Sequence, residues 1–252
     1  MQVKTGRAVY VVTGTTLLTF LIANRVRTIG LLDPDVLIWL LYPNLLIAAI
    51  LFCYCILQAD EDVSLLSSSA IFGVATVLTY VPMDWLFSRK VHLIFYLRSD
   101  FLPNLTTPIG IILNWVVFAT LAAYCYQRFA TVFQTRFADA SEKPRLSFMG
   151  SAMVAAGITG ITAAIGSVVI YALGASHLWV WNAAQVDHIP QILSVPVFVP
   201  LAFLLTFLLC PYFFGVTGSF LREQHTGVAG IRCGIFMGAF QFLGFLLFYA
   251  GK

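Results

Sequence analysis

Long apolar runs separated by short polar segments dominate the chain. A membrane-spanning helix needs about 20 mostly apolar residues, and backbone groups in lipid must be hydrogen-bonded within the protein, which favours helices over open strands. Seven runs meet this length, and we predict an all-α, polytopic seven-helix transmembrane bundle. The predicted spans cover residues 8–24, 36–58, 64–87, 105–128, 147–174, 190–217 and 228–250.

The composition supports this prediction and narrows the class of protein. Of the 252 residues, 60% are hydrophobic and 10% are charged, whereas a soluble domain carries about 25% charged residues. So few charges cannot cover a surface that faces water. We therefore predict a single transmembrane domain over residues 1–252, integral to a membrane and in contact with its lipid. The net charge of +3 is spread over loops, and nothing indicates a nucleic-acid partner.

The basic residues give a weak indication of orientation. Lys4 and Arg7 precede the first apolar run, and Arg25 and Arg27 follow it without a small-residue cleavage site, so we interpret this run as a retained span. Eight Lys and Arg residues fall on the N-terminal side and six on the other. Because cytoplasmic loops carry the excess of positive charge, this bias favours a cytoplasmic N-terminus. The loop at residues 138–145 has the composition of a cytosolic segment.

Two predicted spans carry small residues at every fourth position. Such stripes allow another helix to approach closely. We expect them to pack within the molecule, although a dimer interface is the alternative. The stripes consist of Ala152, Ala156, Gly160 and Ala164 in the fifth span, and of Gly230, Gly234 and Gly238 in the seventh.

A weak internal repeat relates the third and fourth spans to the fifth and sixth. Each half begins at a Tyr, continues through Trp and acidic residues, and reaches two successive prolines. The corresponding positions are Tyr80 and Tyr171, Pro103 and Pro190, and Pro108 and Pro196. The repeat predicts that both intervening segments lie on the side opposite the N-terminus. Repeats of this kind often hold a site at their interface.

Three acidic residues lie close to apolar runs: Asp84, Asp100 and Asp187. Asp84 lies at the end of the third span among apolar neighbours, where a carboxyl group either pairs with a cation such as Arg89 or keeps its proton. A proton-bearing carboxyl in an apolar pocket can serve as a general acid. The alternative is a helix-end residue at the headgroup level. Asp187 can equally cap a helix that starts at Pro190, or face solvent.

Aromatic residues flank these acids. They are Trp85, Tyr96, Tyr171, Trp179 and Trp181. An interfacial aromatic belt is one explanation, but aromatic faces also stabilise cations. One acid among several aromatic faces suits carbocation chemistry on an isoprenoid.

Other chemistry is not indicated. His92, His177 and His188 have no metal-ligand spacing, so we predict no metal site. Glycine-rich phosphate loops and nucleophile elbows are not found in the sequence, and we predict no cofactor. All four Lys residues lie outside the predicted spans, which excludes a retinal Schiff base in the seventh.

The segment from Trp179 to Pro196 resembles the integral-membrane prenyl-modifying proteins. These are the membrane lycopene cyclases, the bisanhydrobacterioruberin hydratases and the small membrane terpene cyclases. The resemblance rests on Trp179 and Trp181, followed by Pro190 and Pro196. The cyclases carry a Glu pair after the proline, where this chain has Val197 and Phe198.

The resemblance implies a seven-span fold and an acid-catalysed reaction on an isoprenoid. Asp84 or Asp187 would then be the acid, and Asn114 and Asn182 would orient that acid or a water molecule. Stabilisation of the cation would fall to a ring from another helix, either Trp115, Trp179 or Trp181. His188 belongs to the same polar and aromatic cluster as Trp181. This cluster would form the wall of a pocket between the fourth and sixth spans.

Two further functions stay open. The chain could be a non-enzymatic lipid- or pigment-binding or assembly subunit of a membrane complex, or a small-molecule transporter. A transporter usually carries more polar residues inside its spans. The leading prediction is a membrane-embedded cyclase or hydratase acting on a lipid-soluble polyisoprenoid. The sequence leaves the oligomeric state open.

Overall fold

A computed structural model describes residues 5–31, 34–58, 63–97, 100–102, 105–138, 144–175, 177–215 and 226–250. Helices dominate, and the strands are only two or three residues long. The helices are α1 (Thr5–Thr28), α2 (Leu41–Gln58), α3 (Val63–Trp85), α4 (Ile109–Ala138), α5 (Pro144–Gly174), α6 (Ala183–Val186), α7 (Phe198–Leu208), α8 (Cys210–Phe213) and α9 (Thr226–Tyr249). The strands are β1 (Ile94–Tyr96), β2 (Trp179–Trp181), β3 (Gln191–Ile192) and β4 (Val195–Pro196). A 3-10 helix, Pro34–Leu40, precedes α2, and a π-helical turn, Leu86–Lys90, follows α3.

Six helical segments of the described chain are long and apolar enough to cross a membrane. The chain is therefore an all-α, multi-pass membrane protein, as the apolar runs predict. The segments are Thr5–Thr28, Val36–Gln58, Val63–Lys90, Ile109–Arg136, Met149–Gly174 and Thr226–Tyr249.

The region of the sixth predicted span has a different local structure. The predicted helix start at Pro190 is wrong, because β3 and β4 form a hairpin there and α7 begins only at Phe198. Prolines lack the N–H that a helix interior needs. The two-residue turn of the hairpin, Leu193 and Ser194, has positive φ at both positions, as tight hairpins require. Leu209 then separates α7 from α8, and Pro211 lies in the first turn of α8. The 11 residues of α7 rise only about 16 Å.

The helices alternate in direction relative to the end where β1 and β2 lie, which we call the strand end. At this end Asn24 of α1 donates a hydrogen bond to the carbonyl of Leu173 of α5 (3.4 Å). Phe198 at the start of α7 lies 6.1 Å, ring centre to ring centre, from Phe245 near the end of α9. Helices α1, α5 and α9 therefore all run toward the strand end, and α7 runs away from it. Thr5 and Tyr249 lie at opposite ends of the bundle.

Five helices form a closed ring around the core. Neighbouring pairs in the ring are α3 and α4, α4 and α5, α5 and α7, α7 and α9, and α9 and α3. Helices α1 and α2 pack outside the ring, against α5 and α4 respectively. The main hydrophobic core includes buried side chains from every ring helix, among them Tyr80, Ile111, Tyr171, Phe198 and Phe245.

The strands β1 and β2 join the two halves of the sequence. Strand β1 follows α3 and β2 follows α5, and the two pair in antiparallel register, with Tyr96 opposite Trp179 and Ile94 opposite Trp181. The two segments that were predicted to share one side of the membrane therefore contact each other directly. Pro103, one of the prolines in the repeat, lies outside the described residues, as do residues 139–143 of the loop assigned to the cytosol.

The glycine stripe of α9 packs against α3. A Cβ atom at Gly234 would overlap Thr79 Oγ1 and the carbonyl oxygen of Thr76, and one at Gly238 would lie 3.1 Å from the Met83 side chain. Thr79 Oγ1 also lies 3.4 Å from the Ile231 carbonyl oxygen and donates to it. This stripe therefore packs within the molecule, as expected. The two helices can approach so closely because the glycines of the stripe have no side chains.

Replacing Gly234 by Leu is expected to destabilise the bundle strongly. The new side chain would meet the backbone of Thr76, which cannot rotate away, and overpacking of this kind costs about 1–3 kcal/mol or more. Thermal unfolding of the purified variant in detergent should show a lower melting temperature and loss of monodisperse protein. The matched control is Gly157→Leu, because Gly157 lies in α5 with open space around it. Equal melting temperatures for both variants would contradict the close α3–α9 contact.

Candidate functional site

Asp84 occupies the last turn of α3, where the helix changes its winding. Pro82 lies inside the helix, and the π-helical turn begins two residues after Asp84. π-turns inside helices occur frequently at functional sites. The Ser88 hydroxyl donates to the Asp84 backbone carbonyl (2.8 Å), which stabilises this irregular end. The Asp84 side chain is 3% exposed, so it lies inside the bundle.

Two neutral hydroxyl groups are hydrogen-bonded to the Asp84 carboxyl group. Tyr96 of β1 donates to Oδ1 (2.9 Å), and Thr107, just before α4, donates to Oδ2. Arg89, the cation considered as a partner from the sequence, donates instead to the Thr106 hydroxyl (3.1 Å). The buried carboxyl group is therefore held by groups that carry no charge.

Tyr96 stays protonated in this arrangement. Burial, followed by the charge of Asp84, raises the pKa of the Tyr96 hydroxyl well above its usual range. The hydroxyl therefore keeps its proton near neutral pH, and the pairing of β1 with β2 holds it in position.

The aromatic side chains of β2 pack around Tyr171. Its ring lies 5.4 Å from Trp179 and 5.6 Å from Trp181, measured between ring centres. Trp179 also contacts Tyr96 edge to face at 6.5 Å, which links this group to the partner of Asp84. The structure thus brings together four of the predicted aromatic residues, and they come from three different elements.

A second polar group lies one helical turn before Asp84. The Tyr80 hydroxyl donates to Gln241 Oε1 (2.7 Å), and it is also within hydrogen-bonding contact of Tyr171. Trp115 of α4 packs edge to face on Tyr80 with ring centres 5.3 Å apart. Tyr80, Tyr171 and Gln241 are all buried, so α3, α5 and α9 each contribute one polar side chain to the centre of the ring.

Gln241 and Thr107 were not identified from the sequence. Gln241 is a single amide inside the last apolar run, and Thr107 lies in a loop between prolines. A polar side chain within a membrane span is costly unless it has a partner or a function, and this rule alone singles out Gln241. Thr107 has no comparable signal, because only the fold brings it to Asp84.

The remaining candidates from the segment after β2 lie away from Asp84. Asp187 and His188 are exposed, and the His188 ring packs against Tyr249. The Asn182 side chain accepts from the Ala184 amide (3.2 Å) and donates to the His92 carbonyl. Asn182 thus caps α6 and joins it to the segment before β1. Asp187 does not cap a long helix, because the hairpin follows it.

Trp85 faces outward, as expected for a residue adjacent to Asp84 on a helix. Its side chain is 46% exposed, and Lys90 Nζ lies 5.7 Å from the ring centre. Trp85 is thus a surface residue near the strand end, and its position is typical of an interfacial aromatic.

Asn114 belongs to a separate buried polar contact. Asn44 of α2 donates to Thr16 Oγ1 of α1 (3.0 Å) and to Asn114 Oδ1 of α4 (3.3 Å). Asn114 donates in turn to the carbonyl of Gly110 (2.8 Å). The two hydrogen bonds of Asn44 therefore join α2 to α1 and to α4 of the ring.

Asp100 caps the start of α4 from outside the helix. Its carboxylate accepts hydrogen bonds from the backbone amides of Ile109 (3.0 Å) and Gly110 (2.8 Å). The Tyr42 hydroxyl donates to the same carboxylate (2.7 Å). Asp100 thus stabilises the helix that presents Thr107 and Trp115 to the centre of the bundle.

An apolar groove of about 850 Å³ lies between the outer helices and the ring. Helices α1, α2, α3 and α4 line it, with side chains that include Val12, Phe52, Leu66 and Leu121. Its volume falls within the range of small-molecule sites. The groove therefore offers a place for a hydrocarbon chain.

The three described histidines, His92, His177 and His188, lie in different surroundings. Among the described residues no group of three or more His, Cys, Asp or Glu side chains comes together. His92 is exposed and stacks on Phe95. His177 is buried at the strand end, and its Nδ1 lies 3.2 Å from the Ala175 carbonyl oxygen. This contact places the ring proton on Nδ1 as a donor.

Comparison with known proteins gives no relative for this chain. No family model, no curated protein and no solved structure matches it.

Lowering the pH is expected to destabilise the protein through His177. Burial lowers the pKa of the folded-state imidazole from 6.5 to about 4. Between these values the unfolded chain binds a proton that the folded protein does not, so stability falls as the pH drops from about 6.5 to about 4. Melting temperatures measured in detergent across this range should fall less for His177→Gln. Parallel curves for the variant and the original protein would contradict the neutral buried imidazole.

Proposed function

We propose that the chain is a membrane-embedded enzyme that cyclises or hydrates a lipid-soluble polyisoprenoid by acid catalysis, with Asp84 as the acid. The observation that carries the proposal is the buried Asp84 carboxyl group, held by the uncharged hydroxyls of Tyr96 and Thr107. Functional carboxyl groups inside membrane bundles are typically buried and face the interior. The reaction needs neither a metal nor a nucleotide.

The chemistry has two stages. The Asp84 carboxyl group gives its proton to one carbon of an alkene, which leaves a carbocation on the other carbon and a carboxylate on the enzyme. In cyclisation, the electrons of a second alkene form a carbon–carbon bond, and the new cation loses a proton to the carboxylate. In hydration, a water oxygen captures the cation, and the oxonium proton returns to the carboxylate. Both routes restore the acid.

The reaction also requires stabilisation of the carbocation, and the aromatic side chains supply it. A cation above a Trp or Tyr face gains electrostatic stabilisation, which increases when water is excluded. Trp115 packs on Tyr80, one turn from Asp84 on α3, and Trp179 packs on Tyr96. Rings from α4 and β2 therefore lie next to the residues that surround the acid.

Asp84 is the preferred acid over Asp187. Asp84 is 3% exposed and lies among the aromatic rings, whereas Asp187 is exposed after α6. A general acid must lie within reach of the reacting group in a site that excludes water, and Asp84 meets this requirement better. The proposal therefore keeps the resemblance to the prenyl-modifying proteins. It places the acid on α3, whereas the cyclases carry their Glu pair in the region of the sixth predicted span.

The substitution Asp84→Asn should remove the activity and preserve the fold. Asparagine keeps the size and the hydrogen-bonding capacity with Tyr96 but cannot donate an acidic proton. Loss of a general acid costs about 10²–10⁴ in rate. The measurement is expression in a polyprene-producing host, with lipid extracts compared by mass spectrometry. Asp187→Asn is the matched control and should retain product. Product from both variants would overturn the acid mechanism.

The proposal includes a seven-crossing topology with a cytoplasmic N-terminus. Helices α7 and α8 together would complete the crossing between α5 and α9, and the site would lie at the interface of the two repeat halves. The opposite positions of Thr5 and Tyr249 in the bundle support this arrangement, and the positive-charge bias supports the orientation.

Reporter fusions at the two ends of the chain should report opposite sides of the membrane. A cytoplasmic reporter is expected to be active at the N-terminus, and a reporter of the other side at the C-terminus. Matching signals from both ends would contradict the seven-crossing topology, since they require an even number of crossings.

A lipid- or pigment-binding subunit is the second candidate. The apolar groove of about 850 Å³ between α1, α2, α3 and α4 favours it, since a hydrocarbon chain can lie there without any reaction. Co-purified lipid that stays unchanged when Asp84 is replaced, with no product in either case, would favour this function.

A further inference from the structure

Three buried N–H donors in the half of the bundle nearer the strand end lack a hydrogen-bond partner within the part of the chain that the structure describes. They are Nε1 of Trp179, Nε1 of Trp181 and Nε2 of Gln241. Trp179 and Gln241 are each 3% exposed. Buried polar groups in folded proteins are almost always hydrogen-bonded, so each exception requires an explanation.

The three side chains border the same pair of tyrosines. Trp179 and Trp181 both pack on the Tyr171 ring. Gln241 accepts from Tyr80 through Oε1 (2.7 Å), and Tyr80 and Tyr171 are in hydrogen-bonding contact. The donors therefore belong to one group of side chains and not to three unrelated sites.

The acceptors around this group are already engaged. Gln241 Oε1 accepts from Tyr80, and the two Asp84 carboxyl oxygens accept from Tyr96 and Thr107. A water molecule on one of these donors would also need acceptors for its own two protons, which would have to come from second lone pairs of these oxygens or from the tyrosine hydroxyls. An oxygen that accepts without donating, such as a carbonyl oxygen, satisfies the N–H groups without this requirement.

The charges near the donors also restrict the ligand. The free donors are neutral indole and amide groups, which carry no positive charge to compensate an anion. A cation is excluded as the direct partner, because an N–H donor requires an acceptor. A neutral oxygen on an otherwise apolar molecule fits both the donors and the aromatic surroundings.

We infer that the bundle, toward its strand end, binds a lipid-soluble ligand through a neutral, carbonyl-type oxygen, with Gln241 and Trp181 among its hydrogen-bond donors. The inference rests on the proposed function for the isoprenoid part of the ligand. It adds that the ligand carries an oxygen, and it assigns Gln241 as a residue that selects for that oxygen.

Binding of two matched probes to purified protein in detergent tests the inference. Geranylacetone is an isoprenoid ketone, and its control is the same carbon skeleton with CH₂ in place of the carbonyl group. Quenching of intrinsic tryptophan fluorescence gives both dissociation constants. The ketone is expected to bind at least about tenfold more tightly, the difference of one good hydrogen bond to a desolvated donor. Equal binding would overturn the inference and leave water as the partner of the donors.

Gln241→Leu should reduce the preference for the ketone, because Trp181 remains as a second donor. The matched control is Gln127→Leu, because Gln127 lies in α4 and its amide already donates to Ser69 (2.9 Å); this variant should keep the preference for the ketone. If Gln241→Leu does not fold, Trp181→Phe removes a second donor while keeping an aromatic ring, and it should reduce the preference. An unchanged preference in the folded variants would overturn the assignment.

The binding result and the proposed reaction can fail separately. Asp84→Asn should retain the preference for the ketone, because it leaves the three donors intact. Equal probe binding together with product loss in Asp84→Asn would remove only the carbonyl inference. A ketone preference together with undiminished product in Asp84→Asn would remove the acid mechanism and keep the binding site.

Discussion

The buried carboxyl group of Asp84 must be hydrogen-bonded, and much of the strand end is arranged around this requirement. Its two partners come from separate elements, Tyr96 from β1 and Thr107 from the segment before α4. Tyr96 reaches the carboxyl group because β1 turns back after the π-helical turn and pairs with β2. The same pairing places Trp179 opposite Tyr96. The aromatic group around Tyr171 is thus a consequence of how one carboxylic acid is held.

Close helix packing brings the second polar group to the same place. The glycine stripe lets α9 approach the backbone of α3, and Gln241, three residues after Gly238, then reaches Tyr80. Tyr80 and Asp84 are four residues apart on α3 and share a helix face. A bulky residue in the stripe would therefore affect more than stability, because it would separate Gln241 from its partner.

The sequence predicts the helices better than it predicts the contacts. Apolar runs predict membrane helices because backbone groups in lipid must be hydrogen-bonded within the helix. Asp84 could be identified from the sequence because its neighbours are apolar. The helix expected at Pro190 is replaced by a hairpin, whose turn requires positive φ at Leu193 and Ser194. No propensity rule indicates positive φ for these residue types. Thr107 and Gln241 meet their partners across the bundle, at separations of 23 and 161 residues, where local patterns carry no information.

The identity of the partners of Asp84 also bears on its proposed chemistry. A guanidinium partner would stabilise only the carboxylate and would oppose proton donation. Hydroxyl groups can donate to a carboxylate or accept from a carboxylic acid, so Tyr96 and Thr107 can hold the side chain before and after it loses its proton. Arg89 is five residues away in sequence, but its hydrogen bond to Thr106 directs it elsewhere. The arrangement therefore permits Asp84 to change its protonation state without breaking the contacts between α3, β1 and α4.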